Sequence, residues 1–501
     1  MKPYTKQDIE IVYGDIIRSA YRNYAKSRIK EALKDIATAS RWAYEFNHIY
    51  TDSDADQLLK KISEACIDAI RIDEPRADHC VMINSFLCDN RGLSQQYLRA
   101  MMSQNMQILV VHTKRGGRVE EYKDTMAELY AYGKAKIISY DKRIDVIEQA
   151  RKIVAEIDSF SPANIFFHLA PWDVVALIAC SAVNGAKKYN INLTDHAFWL
   201  GASFFDHNLE FRPYGMTVSL EKRGIEKDKE LALPYYPITP MSSEFVGLPI
   251  TPDNAIKVLT GGAIYKMLGK DDIFFKMMER ILSISPNVYI LVAGFDKNSY
   301  FEEKITKLSG GERIQLIGVR NDIDAVFEHC DIYLGTYPIS GGLMTQYAAK
   351  HALPVIAYHE EGDVMNAIEE VLNYYQNDFK SFTDLEKFTL YSERLIKSED
   401  FRKSQGKLLK DGMMDEKRFN YEFANILINH TTSFEWRLDD IDYEAFFETY
   451  LDMENINGFM ATRHLVSSFK IQSVSKVTVC RTNMVEEIFN KIARRFKTFV
   501  S

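Results

Sequence analysis

The stretch DIYLGTYPISGGLMTQYAAKHALPVIAY, residues 331–358, decides the fold class of this 501-residue chain. An apolar strand pattern that ends near Thr336 passes through Pro338 and the pair Gly341–Gly342 into a helical pattern. A second strand pattern, LPVIAY, follows the helix. Strands that alternate with helices in this way predict a parallel sheet covered by helices on both faces.

The same alternation occurs in two blocks of the chain. The first runs from HCVMINSFL to INLTDHAFWL, within residues 79–200, and the second from IKVLTGG to LPVIAYH, within residues 256–359. A stretch rich in proline and tyrosine, LALPYYPITPMSSEFVGLPITPDN, lies between them. We therefore predict an α/β fold of two facing Rossmann-like domains, with ligands bound in the cleft at the carboxyl ends of the strands.

The chain is long enough for this arrangement, because single hydrophobic cores stop growing at roughly 250–300 residues. Its two ends have a different, helical pattern. We predict a helical section over residues 1–75, a first Rossmann-like domain over 76–250, a second over 251–430, and a helical extension over 431–501. The last section includes a strand pattern, SKVTVC, before the final helix.

Composition narrows the class of function. The formal net charge of −8 is spread along the chain without a cluster of basic residues, which argues against nucleic-acid binding and favours small-molecule chemistry. The six cysteines are scattered, with no CxxC pair and no histidine at zinc-ligand spacing, which indicates a reducing compartment and predicts no disulfide and no metal site. Because no apolar run reaches the length of a bilayer span, we expect a cytoplasmic protein.

The segment FNKIARRFKTFV, Phe489 to Val500, has a basic amphipathic pattern. The favoured interpretation is a terminal helix that docks on the body of the protein through its apolar stripe. The alternative is a helix that lies on an anionic membrane, which would make the protein peripheral at the inner membrane face.

The turn at Gly341–Gly342 is the first candidate site. A strand that runs through glycines into a helix presents unpaired backbone N–H groups and the positive end of the helix dipole to an anion. Thr345, one turn into the helix, offers a hydroxyl to a phosphate oxygen. The alternative is a tight turn that needs glycine only for its backbone angles.

The second candidate is LTGGAIYKMLGKDD, residues 259–272. Here Gly261 and Gly262 end a strand, and Lys266 follows on the loop. A lysine at that point can neutralise a diphosphate leaving group, whose charge grows in the transition state. Lys270 is a weaker candidate for the same role, and either residue could instead be an ordinary surface lysine.

The third candidate is LTDHAFWLG, in which Asp195 and His196 follow a strand of the first domain. A carboxylate and an imidazole at a carboxyl end can activate an acceptor hydroxyl as general base or bind a sugar. The alternative is a capping aspartate with a histidine packed beneath aromatic residues. Asn90, Arg91 and Gly92, after the first strand, are weaker candidates for contacts with acceptor or phosphate.

The string GVRNDIDAVFEHCDIYLGTYPISGGLMTQYAAKHALPVIA, residues 318–357, resembles the nucleotide-sugar segment of the two-Rossmann (GT-B) glycosyltransferases. Retaining, polysaccharide-making members usually have two glutamates in this helix, and their places are taken here by Ile339 and Tyr347. The segment is also similar to that of the O-linked N-acetylglucosamine transferases and their bacterial protein-glycosylating relatives. Their GGTTT-like turn falls on Gly341, Gly342, Leu343, Met344 and Thr345.

This resemblance implies a glycosyltransferase, of hexosyl or N-acetylhexosaminyl type, that uses a UDP-linked sugar as substrate and needs no cofactor or metal. Lys266 and the turn with Met344 would bind the diphosphate, and Gly318, Arg320 and Asp322 would lie near the nucleobase. The acceptor would be a saccharide or a protein. The absence of the two glutamates favours inversion of configuration.

Two alternatives stay open. One is a non-catalytic partner or chaperone subunit of another glycosyltransferase, which would form a stable complex without binding nucleotide. The other is a UDP-sugar 2-epimerase, which shares the double-Rossmann architecture and would convert a UDP-sugar in the absence of any acceptor.

Overall fold

The computed structural model describes residues 1–87, 89, 93–116, 119–238, 244–296, 298–362, 366, 368–372, 379–456, 459–468 and 477–500. Its contacts divide the chain into two compact units. The first unit comprises Met1–Leu233 and Asn420–Ser501, and the second comprises Pro234–Phe419. Both helical ends of the chain therefore belong to the same unit as the first sheet.

The helices, in chain order, are α1 (Lys6–Ala25), α2 (Ile29–Phe46), α3 (Ser53–Cys66), α4 (Ser94–Ser103), α5 (Lys123–Tyr132), α6 (Val146–Phe160), α7 (Val174–Ala182), α8 (Pro213–Lys222), α9 (Ile273–Ile284), α10 (Ser299–Ile305), α11 (Ile323–Glu328), α12 (Gly342–Lys350), α13 (Ile368–Leu372), α14 (Leu385–Lys397), α15 (Glu399–Asp411), α16 (Glu416–Asn429), α17 (Tyr443–Ile456), α18 (Met460–Ser468) and α19 (Thr478–Val500). Several begin at residues whose side chains accept backbone N–H groups, as Thr5, Asp52, Asp145 and Asp384 do.

The strands, in chain order, are β1 (Ile70–Arg71), β2 (Arg76–Asn84), β3 (Gln107–His112), β4 (Ala135–Ile138), β5 (Pro162–His168), β6 (Val183–Asn184), β7 (Lys187–Ile191), β8 (His207–Glu210), β9 (Glu230–Ala232), β10 (Ile256–Gly261), β11 (Val288–Ala293), β12 (Ile314–Gly318), β13 (Ile332–Leu334) and β14 (Val355–Ile356). The pair β1–β6 forms a small parallel sheet of its own.

The first unit is built on a seven-stranded sheet in the order β4-β3-β2-β5-β7-β8-β9, and every pairing in it is parallel. The central strands β2 and β5 are buried on both faces, because consecutive residues such as Val81, Met82 and Ile83 are all inaccessible to solvent. A parallel sheet covered by helices on both faces requires such unbroken apolar runs.

The helical ends of the chain pack against each other within the first unit. Trp42 of α2 donates its indole N–H to the carbonyl of Ile9 at 3.0 Å and lies in an apolar cluster with Cys480 and Met484 of α19. The backbone N–H of Lys2 and the side chain of Asn483 are joined at 2.8 Å. The strand expected at SKVTVC is wrong in its described part, because Thr478 to Cys480 form the first turn of α19.

The second unit is built on a five-stranded parallel sheet in the order β12-β11-β10-β13-β14. Apolar clusters cover both of its faces, one with Phe274 and Met278 of α9 and the other with Tyr347 and Ala348 of α12. The predicted α/β fold with two Rossmann-like domains and helical extensions is confirmed. None of the helices in the described ranges is long and apolar enough to cross a membrane.

Candidate functional site

The carboxyl edge of the second sheet is lined by glycines. Strand β10 ends at Gly261 and is followed by Gly262, β11 is followed by Gly294, and β12 ends at Gly318. The amide of Gly262 donates to the Ala293 carbonyl at 3.1 Å, and that of Gly294 to the Gly318 carbonyl at 2.9 Å. A Cβ on Gly294, whose φ is +114°, would lie 2.1 Å from the carbonyl oxygen of Gly262. Only glycine fits there, and the edge presents backbone rather than side chains to a ligand.

Lys266 lies beside this edge, at the end of the short helical turn Ile264–Lys266 that follows β10. Its side chain is half-buried and passes over Gly262, where an added Cβ would lie 3.5 Å from the lysine Cδ. Burial lowers the pKa of Lys266, and within the described part of the chain its ammonium has neither an ion-pair nor a hydrogen-bond partner. A partly desolvated cation without a counter-charge favours the binding of an anion at this point.

The N-terminus of α12 lies next to the Lys266 loop. Strand β13, which leads to it, pairs with β10 in parallel, with Leu259 opposite Tyr333. A Cβ on Gly269 would lie 2.9 Å from the Pro338 ring, so the two loops pack closely. No side chain caps α12 at Gly341. No side chain therefore competes for its first amides and the positive end of its dipole, which lie on the loop packed against the Lys266 loop.

Thr345 and Met344 are positioned for packing and capping. Thr345 is fully buried, and its hydroxyl donates to the carbonyl of Gly341 at 3.1 Å. Met344 is half-buried and packs against the apolar cluster around Tyr347. Contact of either side chain, or of the backbone of Gly341–Gly342, with a phosphate stays a prediction.

Arg320 and Asp322 form a bidentate ion pair, with N–O distances of 2.6 and 2.5 Å. The ion pair with Arg320 lowers the pKa of Asp322, which is buried and accepts the backbone N–H of Val246 at 2.9 Å. Phe245 stacks on His329 with ring centroids 4.1 Å apart. The hydrogen bond from Val246 to Asp322 and the stacking of Phe245 on His329 thus hold the segment before β10 against the rest of the second unit. The predicted role of Arg320 and Asp322 near the nucleobase is untested, and the structural role was not foreseen.

In the first unit, Asp195 lies on the loop after β7 and is fully buried. Arg212, at the start of α8, donates to it from Nε at 2.5 Å and from Nη2 at 3.2 Å. Burial opposes ionisation, but the charge of Arg212 and the hydrogen bond with His196 outweigh it, and the pKa of Asp195 lies well below its ordinary value. A buried, permanently ionised carboxylate is a poor proton acceptor, so we expect Asp195 to orient its neighbours instead.

His196 is the exposed member of this group. Its Nδ1 lies 2.9 Å from Asp195 Oδ1, and about a third of its side chain (35%) is accessible. Asn47, the residue that follows α2, donates to the His196 carbonyl at 3.0 Å and accepts the Phe198 amide at 2.9 Å. The N-terminal helices therefore fix the loop. With Nδ1–H directed at Asp195, Nε2 is left as the basic nitrogen.

A buried acidic network surrounds the Asp195 loop, and sequence reasoning missed it. Glu210, at the end of β8, accepts from Asn192 at 2.8 Å, Asn208 at 2.6 Å and Ser219 at 2.6 Å. Burial raises the pKa of Glu210 to about 7. Gly215 allows α8 to pack onto it, because a Cβ there would lie 2.3 Å from Glu210 Oε2. The signal in the sequence was the segment HNLE, a short strand in which His207, Asn208 and Glu210 are polar.

A second polar group in the second unit resembles a metal site in composition. Ligand atoms of Asp324, Glu328 and His351 lie within 4.8 Å of one another. However, Lys350 places its ammonium 2.6 Å from Asp324 Oδ1, and His351 Nε2 lies 2.9 Å from the same oxygen. The ammonium of Lys350 therefore already neutralises the Asp324 carboxylate. Among the weaker candidates, Asn90, Arg91, Gly92 and the side chain of Lys270 lie outside the described residues.

Comparison with known proteins identifies the fold. No protein-family model matches the sequence, and no curated protein matches it. The structure is similar to that of a mutant O-GlcNAc transferase from Thermobaculum terrenum, with a TM-score of 0.51 and 10% identity over 88% of this chain and 83% of that one. Similarity is also found to HepE from Anabaena in complex with UDP, with a TM-score of 0.47 and 13% identity over 70% and 99% of the two chains.

A glycosyltransferase from Rickettsia africae gives a TM-score of 0.48 and 13% identity over 70% of this chain and 99% of that one. At such identities the comparison defines the class of fold, which is the two-Rossmann fold of the GT-B glycosyltransferases. The expected resemblance in fold to the O-GlcNAc transferase is confirmed.

Proposed function

We propose that this protein is a glycosyltransferase that moves a sugar from a UDP-linked donor to a hydroxyl of a saccharide or protein acceptor, without a metal ion. The observation that carries the proposal is the half-buried ammonium of Lys266, which has no partner among the described residues, beside the N-terminus of α12, which no side chain caps at Gly341. Two sources of positive potential at adjacent strand ends, with glycines between them, fit a diphosphate.

The chemistry follows from these charges. An acceptor hydroxyl attacks the anomeric carbon, a new carbon–oxygen bond forms, and the bond from that carbon to the diphosphate oxygen breaks. The electron pair leaves with the diphosphate, where Lys266 and the first amides of α12 stabilise the negative charge. This arrangement takes the place of a divalent cation, so we expect chelators to leave the activity unchanged.

The acceptor's proton goes to His196 in this proposal. Nε2 is its basic nitrogen, because Nδ1 faces Asp195 at 2.9 Å. Asp195, held by Arg212, fixes the tautomer and stabilises the imidazolium that forms. Asp195 is therefore a positioning residue and His196 the general base.

Thermal stability against a panel of nucleotides and UDP-sugars tests the proposal. A ligand at about 100 times its dissociation constant adds roughly 2.7 kcal/mol to the native state. We expect stabilisation by UDP and by one UDP-sugar in the wild type, and a clearly smaller shift in Lys266→Ala. Lys276→Ala is the matched control, because Lys276 is an exposed lysine on the neighbouring helix α9.

Three results discriminate the alternatives. No response to any nucleotide contradicts the proposal and favours a non-catalytic subunit. An equal loss in Lys266→Ala and Lys276→Ala contradicts the assignment of the diphosphate to Lys266. Conversion of the bound UDP-sugar to its 2-epimer without acceptor identifies an epimerase instead.

A further inference from the structure

The last helix, α19, has two different faces along its length. Its first half is docked: Cys480, Asn483, Met484 and Glu487 are buried against the N-terminal helices and α18. In its second half, every residue from Phe489 to Arg494 is exposed. The docking expected for the apolar stripe of the segment Phe489 to Val500 is therefore wrong for Phe489 and Ile492, and the docked residues precede that segment.

An apolar stripe runs along the exposed part of α19. Val485, Phe489 and Ile492 are spaced by four and three residues and are 40%, 66% and 46% exposed. Residues at this spacing share one face of a helix. Large apolar side chains in a row on an exposed helix mark a surface that another phase or molecule covers.

The charges around this stripe are of one sign. The sequence from Ile488 to Ser501 contains four basic residues and no acidic one, in a chain of net charge −8. The two acids just before it are neutralised, Glu486 by the amino group of Met1 at 3.0 Å and Glu487 by Arg494. Lys491 has no ion-pair partner among the described residues. The exposed half of α19 is thus apolar on one face and positive beside it.

We propose that the exposed half of α19 binds an anionic membrane surface, with Phe489 and Ile492 inserted at the headgroup boundary and Lys491 against the lipid phosphates. Apolar burial and electrostatic attraction both contribute to binding by helices of this kind. The first half of α19 holds the helix on the body of the protein. The helix is thus a peripheral anchor and not a span.

Flotation of the full chain with lipid vesicles tests this proposal. The probes are vesicles of phosphatidylcholine alone and vesicles with about 30% phosphatidylglycerol. At this content of anionic lipid, the membrane surface attracts basic residues strongly. We expect the wild type to bind the anionic vesicles at least about tenfold better than the neutral ones. We expect the double variant Phe489→Ser/Ile492→Ser to lose most of this binding, and Lys491→Gln to weaken it selectively on anionic vesicles.

The matched control is Tyr130→Ser/Ile428→Ser, which removes two apolar side chains of similar exposure, 71% and 75%, from helices α5 and α16. It should bind like the wild type. All variants change exposed positions, and equal thermal stability would show that they fold. Binding that is absent, that is equal on both vesicle types, or that survives in the double variant overturns the proposal. Self-association in the absence of lipid also overturns the proposal if the double variant abolishes it, because the stripe would then be an interface between two copies of the chain.

Discussion

The Lys266 loop of the second unit and the Asp195 loop of the first both follow a parallel strand, yet their charges are arranged in opposite ways. Lys266 is half-buried, has no counter-charge within the part of the chain that the structure describes, and lies beside an edge made of backbone. Asp195 is fully buried, but Arg212 and His196 satisfy both of its oxygens. A ligand is needed to complete the first arrangement, whereas the second is complete without one. Under the proposed function, donor binding should stabilise the second unit, while the first unit is preorganised.

Arg212→Gln should produce the largest effect on stability. It leaves the buried carboxylate of Asp195 without its main cation, and breaking a buried ion pair in this way costs about 3–5 kcal/mol. Lys266→Ala should leave the free energy of unfolding unchanged or raise it, because it removes a partly desolvated charge. Denaturant unfolding of both variants without nucleotide measures the contrast. A similar loss of stability in Arg212→Gln and Lys266→Ala would contradict the proposed difference between the two loops.

Lys266→Ala should produce the largest effect on activity. Removal of one group that stabilises the developing charge costs about 10²–10³-fold in turnover. Initial rates with the donor found in the thermal panel measure this, and Lys276→Ala should keep the wild-type rate. His196→Gln should lower turnover by about 10²-fold or more, as expected for a lost general base. A wild-type rate in His196→Gln would contradict the assignment of His196 as the general base.

Gly294→Ala should have a smaller effect that reports on the glycine edge. The new Cβ would clash with the Gly262 carbonyl at 2.1 Å, at a φ of +114°. We expect a loss of about 1–3 kcal/mol in stability and weaker nucleotide binding. Gly133→Ala, at the end of α5, is the control: its φ is +75°, but nothing lies within 4 Å of the added Cβ. It should lose stability through strain alone and bind nucleotide normally.

Glu210→Gln should have the smallest effect, which depends on pH. Burial raises the folded-state pKa of Glu210 to about 7, above its value in the unfolded chain. The folded state then holds a proton that the unfolded state has lost, so stability falls as pH rises from about 4.5 towards 7. The variant should flatten this fall by on the order of 1 kcal/mol. Unfolding curves at pH 5 and pH 8 provide the test, and an unchanged slope would contradict it.

The order of β2, β3, β4, β5 and β7 and of β10 to β14 could be predicted, because most of these strands are apolar runs such as Val81 to Ile83 and the helices between them have clear periodicity. The strands β8 and β9 were not predicted, because HNLE and ELA are short and contain polar residues. The placement of Gly261, Gly262 and Lys266 at a carboxyl edge follows from the same order. Pairings between distant segments could not be predicted. Such pairings depend on tertiary packing, which residue spacing does not encode. They include Asp195 with Arg212, Asn47 with the His196 loop, and Asp322 with Val246.

The end of α19 shows the same limit. The basic amphipathic pattern was visible, but whether its apolar stripe is docked depends on the length of the helix relative to the body it packs against. The structure buries Met484 and leaves Phe489 exposed. Sequence periodicity identifies a stripe and does not identify what covers it.

Calorimetric binding of UDP and UMP to the wild type, Lys266→Ala and Lys276→Ala tests the central claim most directly. Both nucleotides share the base and ribose, so the difference in their binding free energies isolates the terminal phosphate. We predict that the wild type and Lys276→Ala prefer UDP by at least about 1.4 kcal/mol, a factor of ten, and that Lys266→Ala loses this preference while it keeps its affinity for UMP. A preference for UDP that persists in Lys266→Ala would contradict the assignment of the diphosphate to this lysine.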